Sequence, residues 1–272
     1  MVDIARANGI PVLGLGTFPL KGDDCQNAVR MALDLGYRHI DTAQMYGNEK
    51  DVGDALRSSG MKRDDLFVVT KVDPGNVGAD RFASSVAQSM DDLGSPADLL
   101  LIHWPPDDHD FDAALDRLMR AKDKGMAKAI GVSNFTAAMV DEAVRLSAAP
   151  LVTNQVEYHP YLSQTKVMTA LRRHGMALTA YCPIARGKVL GDPVIGAVAE
   201  AHGRSATQVT LRWLVQQEGV VAIPRSSNEA RITENLGVFD FALSDAEMSR
   251  ISALGSPTGR LVNGAFAPAW DA

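Results

Sequence analysis

Short apolar runs alternate along this chain with longer segments whose apolar residues recur every three or four positions. After the turn pair Asn8-Gly9, the run 10–15 reads as a strand. Segment 23–35 then places Val29, Ala32 and Leu33 at helical spacing, and Gly36 ends it. A short strand is expected at 37–40 and a helix at 49–56. The same alternation predicts strands at 66–70, 98–102, 129–132, 152–156, 178–181 and 220–223. Between them it predicts helices at 80–93, 111–122, 137–146 and 165–174, a helical pair at 193–201 and 207–217, and a last barrel helix at 229–236. From Ile10 onward this makes eight strand-then-helix units. Strict alternation implies a parallel sheet with right-handed crossovers, and eight units favour closure into a (β/α)8 TIM barrel. The residues before the first unit are expected to form a capping strand or hairpin. One further helix (246–254) and an irregular tail are left over at the end. The open doubly wound alternative lacks its fingerprint: Gly14-Leu15-Gly16-Thr17 has no third glycine and runs into Pro19 rather than a helix.

No linker, low-complexity stretch or charge block divides the 272 residues, so residues 1–272 are expected to form one barrel domain. The net charge of −6 gives no reason to expect nucleic acid or an anionic membrane as partner. No apolar run approaches the ~20 residues that span a bilayer, and the opening MVDIARANGIPV has no secretory leader. The two cysteines, Cys25 and Cys182, lie in no metal-type spacing, and no metal is expected. They read as reduced thiols of a cytoplasmic protein.

In barrels of this kind the chemistry sits at the C-terminal ends of the strands. The residues there are polar in one unit after another. Asp41 and then Tyr46 follow the second run, Lys71 the third, and His103 with Trp104 the fourth. Ser133-Asn134 follow the fifth, Gln155 ends the sixth, and Tyr181 ends the seventh. Arg225, Ser226 and Ser227 follow the eighth. A free tyrosine has a pKa near ~10, too high for easy proton donation, and a nearby ammonium lowers it. Asp41 can hold Lys71 charged, and His103 can orient a substrate carbonyl. Arg225 and Arg231, with two serines ahead of a helix, have the makings of a phosphate site.

These stretches together resemble the aldo-keto reductase family. GYRHIDTAQMYGNE (36–49) is similar to its first signature, with Asp41 and Tyr46 in the catalytic positions; TK (70–71) matches its lysine and LLLIHWP (99–105) the setting of its histidine. GVSNF (131–135) and NQVEYHP (154–160) resemble the segments whose Ser-Asn pair and Gln hold a nicotinamide amide. IPRSSNEARITEN (223–235) resembles the 2′-phosphate-binding segment, with arginine at 225 where lysine is usual. Within the family, the ending RLVNGAFAPAWDA (260–272) looks like that of bacterial 2,5-diketo-D-gluconate reductases. The resemblance implies NADPH/NADP+ as cofactor, held by Ser133, Asn134, Gln155, Tyr181, Arg225, Ser226, Ser227, Arg231 and Asn235. It also implies CPIARGK (182–188) against the pyrophosphate. It implies reduction of a small-molecule carbonyl, such as 2,5-diketo-D-gluconate or methylglyoxal, with Tyr46 as general acid and Trp104, Phe18 and Met45 walling the substrate. Relatives of this kind are often monomers, and a monomer is the expectation here.

Two other classes compete. A barrel that binds NADPH as a sensor would not need the full Asp41-Tyr46-Lys71-His103 set. A phosphosugar isomerase would need a carboxylate base, and no strand-end glutamate is evident in the sequence. A sugar-keto-acid substrate would want a cation at the mouth, for which Arg186, Lys188 and Arg260 are candidates. The remaining histidines, His39, His109, His159, His174 and His202, read as ordinary structural residues.

Overall fold

A computed structural model describes residues 4–106 and 110–271. His109 therefore lies outside the described residues, as do Met1–Asp3 and Ala272.

The chain opens with an antiparallel hairpin, β1 (Arg6–Ala7) and β2 (Ile10–Pro11). The run expected as one strand at 10–15 is thus divided. Its first residues belong to the hairpin, and the barrel strand that follows, β3 (Leu15–Gly16), begins later. Seven more strands complete the sheet: β4 (His39–Asp41), β5 (Phe67–Val72), β6 (Ala97–Ile102), β7 (Ala127–Ser133), β8 (Leu151–Glu157), β9 (Ala177–Tyr181) and β10 (Val220–Ala222). Each is parallel to its neighbour, in sequence order from β3 to β10. The ring closes between the ends of that order: Gly14 N donates to Ala222 O at 2.9 Å, Ala222 N to Val12 O at 2.8 Å, and Gly16 N to Pro224 O at 3.0 Å. A barrel has no free edge left to pair with another chain.

Helices α1 (Gly22–Leu35), α2 (Glu49–Ser58), α3 (Ala79–Leu93), α4 (Phe111–Asp123), α5 (Ala137–Leu146) and α6 (Thr165–Arg173) follow successive strands. The pair α7 (Pro193–His202) and α8 (Ala206–Val215) follows β9, α9 (Glu229–Leu236) follows β10, and α10 (Asp245–Ser252) stands outside the repeat. Their ends obey local chemistry. Gly36, Gly94 and Gly203 close α1, α3 and α7 in the left-handed conformation, and Ser205 and Ser244 start α8 and α10 with capping boxes. Among the described residues no helix is long and apolar enough to cross a membrane.

Strand alternation divides the side chains between two cores. Val68, Leu100, Ile102, Ile130, Val156, Leu178 and Ala180 join the large layer between sheet and helices. Val69, Leu99, Leu101, Ala177 and Val221 fill the barrel interior together with Ala7, Ile10 and Val12 of the hairpin region, which plugs the N-terminal end. The period of two therefore sets Lys71, two residues past Val69, and His103, two past Leu101, above the plugged interior. The same count aligns Thr153, Gln155 and Glu157 on the inner face of β8.

Closure is tight at Gly16, where a Cβ would stand 2.9 Å from the carbonyl oxygen of Ile223, a backbone atom. Gly16→Ala is expected to lower stability by about 1–3 kcal/mol, the range for overpacking a well-packed site, as read by chemical denaturation.

Candidate active site

The site starts from a lysine with nowhere else to put its charge. Lys71, on β5, has a fully buried side chain, and Asp41 at the end of β4 is 1% exposed. Lys71 Nζ donates to Asp41 Oδ1 at 2.5 Å, to the backbone oxygen of Thr42 at 2.8 Å and to Tyr46 Oη at 3.2 Å. Those three bonds use all three ammonium donors. Burial alone would drive the lysine's pKa down, but Asp41 and then Tyr46 hold it above its ordinary value.

Tyr46 ends a short 3-10 turn, Gln44–Tyr46. Two sets of bonds brace the segment around that turn. Thr42 Oγ1 donates to Asn48 Oδ1 at 2.6 Å, and Asn48 Nδ2 donates to Leu20 O at 2.8 Å. On the other side, Gln44 Oε1 accepts from Asp73 N and Asn76 Nδ2, both at 3.0 Å, and Gln44 Nε2 donates to Ser89 Oγ at 3.0 Å. Ser89 and Thr70 both donate to the buried carboxylate of Glu49. Glu49 is not singled out by the sequence, where it looks like any acidic residue in a helix's first turn.

The sequence suggests a Tyr46 pKa lowered by Lys71. Burial is the larger effect and raises it; the ammonium opposes that rise without overcoming it. His103 meets Tyr46 edge-on, with ring centroids 5.6 Å apart. Burial, aided by the charge on Lys71, pushes its imidazole down to about 3, so the ring is neutral at ordinary pH. Trp104 lies beside His103 with rings nearly parallel at 6.4 Å, and Phe18 packs on Tyr46 at 5.1 Å. Phe18 and Met45 are 58% and 39% exposed, unusual values for large apolar side chains and fitting for the rim of a mouth.

The residues expected to hold a nicotinamide amide are joined to this set. Asn134 adopts a left-handed φ of 64° and donates from Nδ2 to His103 O at 2.9 Å, while its Oδ1 accepts from Tyr181 Oη at 2.8 Å. Ser133 Oγ donates to Gln155 O at 2.8 Å, and Gln155 Nε2 donates to Asp41 Oδ2 at 2.7 Å. Farther round the mouth, Arg225, Ser227 and Arg231 are exposed at the start of α9, whose N-cap Asn228 accepts from Arg231 N. Ser226 is buried and receives Asn228 N at 3.0 Å. Asn235 on the same helix has a buried Oδ1 with no hydrogen-bond partner. Exposed cations at a helix start suit a phosphate, and an orphaned buried acceptor suits the exocyclic amine of a nucleotide base. These residues fit a phosphorylated dinucleotide.

One expectation fails. A strand-end glutamate does exist: Glu157 ends β8 and is fully buried. It is not a free base. It accepts from Leu261 N at 2.7 Å, Val262 N at 2.9 Å and His159 Nε2 at 2.8 Å. The signal missing from the sequence is its partner, a tail more than a hundred residues away. That tail also carries Trp270, whose ring lies 6.3 Å from Trp104 and 3.5 Å from the Arg260 guanidinium. Of the cations considered for the mouth, Arg260 lies over the Trp270 ring, its buried Nη1 3.7 Å from Glu157 Oε2 and without a hydrogen bond, and Lys188 stacks on Tyr161 at 4.3 Å. Arg186 lies beside Cys182, where its charge opposes the rise that burial gives the thiol's pKa. His39, His159, His174 and His202 all have structural partners: Pro11 O, Glu157, Asp141 and Glu247.

Comparison with known proteins agrees on one family. Residues 12–256 match the Aldo/keto reductase family. A methylglyoxal reductase, DkgB, of Yersinia pestis is 39% identical over 266 residues, covering 96% of this chain and 99% of that protein. A crystal structure provisionally named as a 2,5-diketo-D-gluconic acid reductase B superposes with a TM-score of 0.97 at 46% identity, covering 100% of this chain and 98% of the other. A mutant of Gox0644 in complex with NADPH superposes with a TM-score of 0.87 at 34% identity, with 93% of each chain covered.

Two outcomes test the electrostatics. Asp41→Ala strands a buried ammonium, which is expected to reduce stability by about 3–5 kcal/mol at neutral pH. In that variant the lysine's folded pKa is depressed, so the deficit grows as pH falls below the unfolded lysine value of ~10.4 and shrinks at higher pH. Denaturation at two pH values reads this. For His103, whose folded pKa of about 3 lies below the unfolded one, NMR should show no imidazolium transition at its ring between roughly pH 5 and 9.

Proposed function

This chain belongs to the aldo/keto reductase family of oxidoreductases, and we propose that it reduces small aldehydes and ketones to alcohols with NADPH, using Tyr46 as the proton donor. The observation that carries the proposal is the buried Lys71 Nζ held between Asp41 Oδ1 at 2.5 Å and Tyr46 Oη at 3.2 Å.

NADPH, when bound, supplies a hydride for the carbonyl carbon. Ser133, Asn134 and Gln155 would hold its carboxamide, Tyr181 would stack on its ring, and Arg225, Ser226, Ser227, Arg231 and Asn235 would hold its phosphorylated end. The rest falls to this chain. Reduction of a carbonyl makes an oxygen far more basic than a phenolate. Tyr46 therefore needs no low pKa to deliver its proton; it needs to be protonated beforehand and stabilised afterwards. Burial secures the first, and the Lys71 ammonium secures the second. His103, neutral, can donate a hydrogen bond to the carbonyl oxygen without competing as an acid.

The substrate reading follows the relatives and the wall. The Yersinia pestis relative is named a methylglyoxal reductase and the structural neighbour a 2,5-diketo-D-gluconic acid reductase. Trp104, Phe18, Met45 and the tail's Trp270 make a mouth apolar enough for a short carbonyl compound. The complete proton-donating set favours turnover over a sensor role.

Purified protein with NADPH and a panel of 2,5-diketo-D-gluconate, methylglyoxal and an aromatic aldehyde, each repeated with NADH, tests the activity by loss of reduced-nicotinamide absorbance. Oxidation of NADPH with a preference in the panel is expected; tight NADPH binding without oxidation of any member would leave the sensor reading in its place. Tyr46→Phe is expected to lower turnover at least ~100-fold, the low end of general-acid contributions, while NADPH still binds. A variant with near-native turnover overturns the assignment of Tyr46. Arg225→Ala is expected to weaken NADPH more than NADH, because only the former carries the extra phosphate.

A further inference from the structure

The amide of Gln155 faces two ways, and only one orientation is chemically open to it. Its side chain is 2% exposed on the inner face of β8, and its nitrogen stands 2.7 Å from Asp41 Oδ2. An ionised carboxylate can only accept. The end of the amide that meets Asp41 must therefore be the N–H2, and the carbonyl oxygen is the end left for anything else. The other carboxylate oxygen of Asp41 takes Lys71, and Lys71 reaches Tyr46. The path from Gln155 to the phenol thus contains two side chains, both buried.

We infer that Gln155 is a positioning residue for the proton-donating set as well as a cofactor contact: by holding Asp41 it sets how much of the Lys71 charge reaches Tyr46, and it couples that setting to the seating of a carboxamide on its own oxygen. The inference rests on the function proposed above for the cofactor contact, but not for the bond to Asp41. Without the donor from Gln155, Asp41 is a stronger base. It then neutralises Lys71 more fully, and the phenolate of Tyr46 is less stabilised. A residue that only gripped the nicotinamide would have no such effect.

Two variants separate these roles. Gln155→Glu puts a second carboxylate beside Asp41, so that the pair shares one proton, and the shared proton titrates above the ordinary ~4.3 of glutamate. While the proton is present, the introduced carboxyl can donate to Asp41 as the amide did. When it leaves, two anions face each other. The apo-protein of this variant should lose stability relative to the native chain as pH rises from roughly 5 to 8, and adding Asp41→Asn should remove or reverse that loss, because the two facing carboxylates are gone and the Lys71 ammonium left without Asp41 is relieved, not strained, as pH rises. A single variant whose stability follows the native pH curve would overturn the clamp on Asp41, whatever the enzyme's activity.

The second variant, Gln155→Met, removes the donor at similar volume. With methylglyoxal as probe, kcat should fall about 3–10-fold and its alkaline limb should move up by roughly half to one pH unit, the scale of one ordinary hydrogen bond. A rise in the KM for NADPH alone, with kcat and the limb unchanged, would reduce Gln155 to a cofactor contact and overturn the coupling. Absence of methylglyoxal turnover in the native chain would fall on the choice of substrate or on the proposed function, and the apo-protein measurement would still decide the clamp.

Discussion

An ammonium ion removed from water is the constraint on which this site depends. Taking such a charge into the interior is unfavourable by several kcal/mol unless each of its donors is matched, and an unmatched one persists as a depressed pKa instead. Lys71 is matched by a carboxylate, a backbone carbonyl and a phenol. Each partner is fixed by something else. Asp41 is held by the parallel register that pairs it with Val69, and its backbone oxygen takes both the amide and the hydroxyl of Thr17. Thr42 is tied to Asn48, and the turn carrying Tyr46 is braced through Gln44. The barrel's regularity thus becomes chemical precision: eight strand ends meet in one place, and period-two alternation decides which side chains arrive there.

That regularity is also why so much is readable in the sequence. A helix's stripe is a local pattern, and the short apolar runs around Val69, Leu101 and Val156 are marked as strands by their length and by the helical stripes on either side. The helix boundaries follow from their stop signals, Gly36 and Gly94 among them. What the local pattern hides is of two kinds. The first is short irregular structure, such as the 3-10 turn at Gln44–Tyr46, which has no period to detect. The second is pairing over long separations. Glu157 reads as one more residue in NQVEYHP because nothing near it in sequence reveals that residues 261 and 262 supply its partners. Gln155 is likewise visible as a strand-end amide, but its bond to Asp41 spans 114 positions.

The pKa of Tyr46 illustrates how a correct local argument can point the wrong way. A cation beside a phenol does lower its pKa, and Lys71 does so here. The sequence contains no measure of how dry the place is, and burial outweighs the cation. The same dryness keeps His103 neutral, and that fits the two groups for different work. In the proposed reaction the phenol, the stronger acid of the two, gives its proton to the oxygen made basic by the hydride. The imidazole can then orient an oxygen without protonating it.

Specificity has a separate physical seat. Asp41 and Lys71 stand on strands, whose positions the closed hydrogen-bond ring determines, and Tyr46 stands on the 3-10 turn that follows the first of them. The substrate wall proposed beside them includes Trp270, which lies 6.3 Å from Trp104 and belongs to a tail without regular secondary structure. That tail is held by side chains: Glu157 takes its backbone amides, Asp271 accepts from Ala137 N at the start of α5, and Arg260 lies flat on the Trp270 ring. An aspartate at a helix N-terminus and a guanidinium over an indole are both favourable, and neither depends on the barrel's register. Substitutions in the tail can therefore reshape the wall while the Asp41–Lys71–Tyr46 geometry stays as the strands set it. The two demands on the site, fixed chemistry and adjustable recognition, fall on parts of the chain held by different forces.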